Sequence, residues 1–378
     1  GRPLPELNGM TTLEAAETPV LDSLSKDAEL GLASMVPEGM APGSDTANLS
    51  VIGYDPKIYY TGRSPLEALS IGVPMKDTDI AIRCNIVTVS VDDLPYEEKT
   101  IIDHSSSEIS TEDAAVLLEA VREGLENDIY KYYLGTSYRH LTIWDKGSVV
   151  PLTPPHDILG KVIGEYLPKE EALKEMMKKS YDILANHPLN IERMKKGLNP
   201  ANSIWFWGAG TKPCLSSFEE KYGKKGVMIS AVDLLKGIGV GASMTNIIVE
   251  GADGTLETNY EGKAQAAIDV LTKDGYDFVY VHLEGPDEMG HQGSVERKVQ
   301  AIEWLDERIV MPIAEGLRVA GEDFRMLILP DHPTPIAIRT HSSEPVPYVL
   351  YDSRVEQRDM VVKGYSEREA EKTGVYVE

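Results

Sequence analysis

The sequence predicts an α/β protein: a doubly wound, mostly parallel sheet with a smaller α+β domain inserted into it. Three observations predict it. Four short apolar stretches, "GVMISAV" (226–232), "DFVYVHL" (277–283), "RMLILP" (325–330) and "PYVLYD" (347–352), are rich in β-branched and aromatic residues, as buried parallel strands are. A helical pattern separates the second from the third, which gives the strand–loop–helix–strand order of a βαβ unit. Between about 78 and 195 the pattern changes to alternating strands and capped amphipathic helices.

Taken in order, "PEGMAPGSDTANLSVIGYDP" (37–56) has a glycine turn at Gly43 followed by a helix start at Ser44. "AIRCNIVTVSVDD" (81–93) and "YRHLTIWD" (138–145) read as alternating strands. "STEDAAVLLEAVREGLE" (110–126) is an amphipathic helix with Ser110 and Asp113 at capping-box spacing. "EEALKEMMKKSYDILANHP" (170–188) is another, stopped before Pro188. The Pro- and Gly-punctuated "VPLTPPHDILG" and "KKGLNPANSIW" suit hinges or cleft loops. After "DFVYVHL" a helix begins at Ser294, with Val295, Val299, Ile302, Leu305 and Ile309 on one face. The predicted domains are therefore 1–77 with 196–378, and an insert of 78–195. No internal repeat or low-complexity tract occurs.

A chain of 378 residues can bury a large core, and its length suggests two domains. A net charge of −24 argues against nucleic acid or an anionic membrane as partner. It does not argue against an anionic substrate, because a metal can supply positive charge locally. Cys84 and Cys214 stand in unlike contexts, so no disulfide framework and a cytoplasmic location are expected. No transmembrane span or signal peptide is read. The chain opens on "GRPLPELNG" without a Met and closes on "EKTGVYVE", so residues are expected beyond both ends.

Ligands of open α/β sheets bind beyond the carboxyl ends of the strands. Three polar clusters fall there: Asp287 and His291 in "DEMGHQG", Asp331 and His332 directly after "RMLILP", and His341 before "PYVLYD". Singly, each reads as a turn or a helix cap. Jointly, they mix carboxylate and imidazole donors in a way that suits Mn2+ or Zn2+ better than Ca2+. Two ions a few Å apart would suit phosphoryl transfer. Ser44, at a helix start where N–H groups attract phosphate, is the candidate nucleophile; its bland reading is a helix cap.

"PGSDTANLSVIGYDP", "HLEGPDEMGHQG" and "LPDHPTPIAIRTHSSEPVP" resemble the archaeal-type cofactor-independent phosphoglycerate mutases, of the alkaline phosphatase superfamily. "RPLPELNG", "DHSSSEIST", "YRHL", "TPPHD", "NPANSIW" and "TNYEGK" extend the resemblance over nearly the whole chain. It implies an alkaline-phosphatase-like core. It implies that Asp287, His291 and His341 hold one Mn2+, and that Asp331, His332 and Ser44 hold a second, with Zn2+, Co2+ or Mg2+ as alternatives. The family also has an Asp ligand at a strand end of type "GDGM" just before "RPLPELNG", which would lie upstream of Gly1. Lys263 becomes a catalytic candidate, and Arg83, His104, Arg139 and His140 become substrate contacts in the insert.

The implied reaction interconverts 3-phosphoglycerate and 2-phosphoglycerate, in glycolysis and gluconeogenesis, through a phosphoserine at Ser44. The insert would close over the site to exclude water. The small phosphorylated substrate is the expected partner. Rival readings are another phosphotransferase or phosphatase on the same core, such as a homoserine-kinase-like enzyme, and a metal-binding protein without catalysis. No P-loop pattern is present, which weakens a nucleotide-dependent kinase.

Overall fold

The computed structural model describes residues 1–355 and 361–378. The chain divides into two compact units, Gly1–Tyr60 with Leu215–Glu378, and Thr61–Cys214. The second unit is wider than the predicted 78–195 at both ends. At its N-terminal side, helix Arg63–Ser70 presents Ala68 to a small core with Ala81, Leu141 and Ile143. At its C-terminal side, Ser203–Thr211 pairs antiparallel with Ile80–Val89. The sequence reading had placed the start of this strand, "NSIW", in a cleft loop, because the preceding Gly and Pro mask its onset.

Ile80–Val89 is the centre of this unit's sheet. It pairs antiparallel with Arg139–Trp144 as well as with Ser203–Thr211, and it is buried along its whole length. Its predicted alternation therefore gives way to burial on both faces: one faces the large core of Ile82, Cys84 and Ile86, the other Ala81 and its neighbours. Helices Thr111–Leu125 and Glu171–Leu184 cover the large core. Ser110 accepts the Asp113 N–H at 3.1 Å, as the capping spacing predicts. Pro188 ends one pattern but opens a further helix, Pro188–Lys195, where its missing N–H costs nothing.

In the other unit, Gly226–Ile229 lies between Thr245–Ile247 and Phe278–Val281, all parallel. A second sheet runs Arg325–Ile328, Val346–Asp352, Glu29–Ala33, Tyr376–Val377. Here the parallel expectation is corrected. Arg325–Ile328 and Val346–Asp352 are antiparallel, with Arg325 opposite Asp352 and Ile328 opposite Val349. The connection 329–345 carries no helix that could make a parallel crossover, and the chain simply returns. The fold is thus mixed α/β with several sheets. Among the described residues, no helix is long and apolar enough to cross a membrane.

Candidate metal and phosphoryl-transfer site

Phe278–Val281 ends just before helix Gly285–Gln292, whose first turn carries Asp287 and whose last carries His291, one turn apart on one face. The helix packs closely on the 331–341 connection. A Cβ on Gly290 would lie 2.6 Å from the Thr334 carbonyl oxygen and 2.9 Å from Lys298 Nζ, so only glycine allows this approach.

The structure brings Asp287, His291 and His341 together, with donor atoms all within 4.8 Å of one another. His291 Nδ1 is 3.0 Å from the Arg339 carbonyl oxygen, and His341 Nδ1 is 3.3 Å from that of Pro42. A carbonyl only accepts, so each Nδ1 carries the proton and each Nε2 is free to bind. The two Nε2 atoms stand 2.9 Å apart, and they lie 3.3 and 3.4 Å from the Asp287 carboxylate. Two lone pairs and a carboxylate converging on one point call for a positive partner, so the donor set fits a cation. When a proton takes the cation's place, His291 donates from Nε2 to Asp287, and this bond lifts His291 to about 9 against its burial. Burial would raise Asp287, but bonds from His291, His341 and Thr334 bring it well below the carboxylate range.

The second cluster adjoins the first. The His332 and His341 ring centroids are 4.0 Å apart. Helix Ser44–Val51 begins at Ser44, with Gly43 at the cap position. The cap position therefore belongs to Gly43 and not to Ser44, whose Oγ lies 3.0 Å from His332 Nε2. The bland reading of Ser44 as a cap is therefore set aside. Asp331 accepts the His332 backbone N–H at 2.9 Å and the Asn48 amide at 2.8 Å. Lys263 is buried and donates to the His282 carbonyl oxygen at 3.1 Å, and burial lowers its pKa. Its contact is with the residue that follows strand Phe278–Val281.

Several residues around this site were missed. Thr334, two positions after His332, donates to Asp287 and lies 3.4 Å from His332 Nδ1, so it touches both clusters. Lys298, buried, donates to the Thr334 carbonyl at 2.7 Å, and burial lowers it to about 8. Asn48 and Tyr280 join behind Asp331. "DHPTP" held a signal for Thr334, since a hydroxyl next to paired ligands suits a ligand-orienting role. Lys298 reads in sequence as an ordinary solvated helix position.

In the Thr61–Cys214 unit, three of the four predicted substrate groups lie in one aromatic-rich cluster. Arg83 is held by Glu67 at 3.2 Å and lies over Trp207 at 4.7 Å. Its Nε has no partner among the described residues, and burial lowers it to about 10, so it stays charged near neutrality. Arg139 is exposed and lies over Tyr138 at 5.2 Å. His104 meets the edges of Tyr138 and of His156, a further missed residue. His140 is set apart, which corrects its assignment. It follows Arg139 on a strand and so points to the opposite face, into the core. It is 1% exposed, accepts the Gly135 N–H at Nδ1, and burial takes it down to about 3. A neutral core imidazole offers no charge to a substrate.

A sequence profile described as "2,3-bisphosphoglycerate-independent phosphoglycerate mutase" matches residues 25–190. A protein of that name from Methanosarcina barkeri is 49% identical over 354 residues, covering 92% of this chain and 87% of the relative. Among solved structures, a Pyrococcus horikoshii protein superposes with a TM-score of 0.80 at 31% identity, covering 98% of this chain and 89% of its own. A cofactor-independent phosphoglycerate mutase from Thermoplasma acidophilum does so with a TM-score of 0.63 at 26% identity, covering 98% and 91%.

Proposed function

We infer the chemistry of the site from the family to which the chain belongs, the 2,3-bisphosphoglycerate-independent phosphoglycerate mutases. The chain is an isomerase of that kind, acting on phosphoglycerate. Our reading is that it interconverts 3- and 2-phosphoglycerate through a phosphoserine at Ser44. The observation that carries this is the 3.0 Å approach of Ser44 Oγ to His332 Nε2, beside the converging Nε2 atoms of His291 and His341.

Asp287, His291 and His341 would hold one divalent cation, and Asp331, His332 and Ser44 a second. Mn2+ fits the mixed carboxylate and imidazole donors, with Zn2+, Co2+ or Mg2+ as the other candidates. When bound, the cations would supply positive charge to the transferring phosphoryl oxygens. Ser44 Oγ gives up its proton as its bond to phosphorus forms and the substrate P–O bond breaks, and that proton ends on the substrate oxygen the phosphoryl group leaves. The glycerate stays bound, its other hydroxyl takes the phosphoryl group back, and Ser44 is regenerated. The N-terminal dipole of the helix that starts at Ser44 favours the phosphate there. Lys263 adds positive charge behind the strand end.

In the Thr61–Cys214 unit, Arg83, Arg139 and His104 bind the charged groups of the substrate, with Arg83 presented as a fixed guanidinium. The α/β core with its site past strand ends supports an alkaline-phosphatase-like ancestry. Free Cys84 and Cys214 support a cytoplasmic location.

The test is a coupled assay on 3-phosphoglycerate without added bisphosphoglycerate. Turnover should be lost in EDTA, return with Mn2+, and be absent in Asp287→Asn. Activity that requires added bisphosphoglycerate, or that persists after complete metal removal, would contradict the reading.

A further inference from the structure

Asn48 is 1% exposed and sits one helical turn after Ser44. A buried Asn is a weak helix former and costs free energy unless its amide is satisfied. Here each amide atom has a partner. Nδ2 is 2.8 Å from the backbone carbonyl oxygen of Ser44 and 2.8 Å from Asp331 Oδ2. Oδ1 accepts from the Tyr280 hydroxyl. The orientation is fixed by chemistry: both neighbours of Nδ2 are acceptors, so the NH2 group must face them. A flipped amide would set its oxygen against two oxygens. Tyr280 can then only donate, and burial, with the Asp331 carboxylate second, keeps its phenol protonated.

We propose that Asn48 is a positioning residue for phosphoryl transfer, tying the Ser44 main chain to the Asp331 carboxylate, with Tyr280 fixing the direction of its amide. The proposal rests on the reading of Ser44 as nucleophile and Asp331 as metal ligand. The contacts close a ring. Ser44 Oγ meets His332 Nε2 at 3.0 Å, the His332 N–H donates to Asp331 Oδ1 at 2.9 Å, Asp331 Oδ2 accepts from Asn48, and Asn48 returns to Ser44. The ring joins helix Ser44–Val51 to the connection after Arg325–Ile328, and the Tyr280 hydroxyl ties it to strand Phe278–Val281. It sets both the distance between nucleophile and ligand and the direction of the Asp331 lone pairs. Groups that orient metal ligands typically change affinity or activity by about 10- to 100-fold when removed.

The rival for Asn48 is a plain anchor of helix to sheet, and metal binding separates the two. Asn48→Ala, Tyr280→Phe and the double variant are made in the full-length protein. Each is assayed by Mn2+ calorimetry, by steady-state kinetics on 3-phosphoglycerate, and by thermal unfolding in EDTA. Asn48→Ala should weaken one Mn2+ site by about 10- to 100-fold and spare the other. Its kcat should fall by a similar factor with little change in KM. Tyr280→Phe should shift the same quantities in the same direction but less. The double variant should be no worse than Asn48→Ala, because Tyr280 acts through Asn48. Should Asn48→Ala fail to fold, Tyr280→Phe, which loses one oxygen, decides. A folded variant with native kcat and both Mn2+ affinities intact would overturn the proposal, even if its unfolding temperature fell. Failure of the underlying reading looks different: Asp331→Asn would then leave wild-type Mn2+ binding unchanged.

Discussion

Removing the Ser44 hydroxyl separates its two readings, because Gly43 holds the cap position while Ser44 Oγ lies against His332. Ser44→Ala should cost less than about 0.5 kcal/mol of stability, below the range for a lost cap. It should lower kcat by more than about a thousandfold, as loss of a nucleophile does. Thermal unfolding beside the coupled assay checks both. His140 makes a different prediction. Its pKa falls from 6.5 to about 3 on folding, so the unfolded chain binds the extra proton. Its contribution is therefore full above pH 6.5 and is lost as pH falls toward 3, on the order of 5 kcal/mol in all. His140→Gln, which keeps an acceptor for Gly135, should lose less stability between pH 7 and pH 4.5 than the native chain does in urea titrations. At this scale the sequence was readable for the gathering of Asp287, His291 and His341 and for the helix start at Ser44, since "DEMGHQG", "DH" and "PGSD" fall at strand ends and a helix start. It was not readable for His140, whose strand face depends on register, nor for Asn48, whose partners Tyr280 and Asp331 lie far along the chain.

The element that carries Asp287 and His291 works by its closeness to the 331–341 connection. Gly290→Ala would force a methyl against the Thr334 carbonyl, and overpacking of this kind typically costs about 1–3 kcal/mol. The helix should relieve the clash by moving out, so Mn2+ affinity should drop more steeply than unfolding temperature; calorimetry and thermal unfolding on one sample compare them. The helix beginning after Ser294 shows where periodicity stops being informative. The apolar face through Ile309 predicts one helix. The chain instead makes a π-helical turn at Asp306–Val310 before Met311–Ala320. Asp306 sits in that turn and accepts the backbone N–H groups of Val20 and Leu21, at 3.1 and 2.7 Å. This caps helix Pro19–Lys26, a long-range demand that local spacing does not encode. Strand directions have the same limit: apolar runs marked Arg325–Ile328 and Val346–Asp352, but composition does not state which way a returning chain runs.

For the whole molecule, the two-unit division was visible as a change of pattern near 78 and 195, while its edges at 61 and 214 depend on a strand and a helix that bracket it. Thr61–Cys214 owns its sheet and its core, so this segment expressed alone should fold cooperatively, with native-like strand content by circular dichroism and no Mn2+ binding. The residue that joins the sequence, the geometry and the family is Ser44, and the claim that it carries the phosphoryl group is tested most directly by trapping it. The enzyme is mixed with 32P-labelled 3-phosphoglycerate and Mn2+, quenched in acid within the first turnovers, digested, and its labelled peptide sequenced. Phosphate is expected on Ser44, and absent when EDTA replaces Mn2+. Full mutase turnover with no label on Ser44, or with label on another side chain, would contradict it.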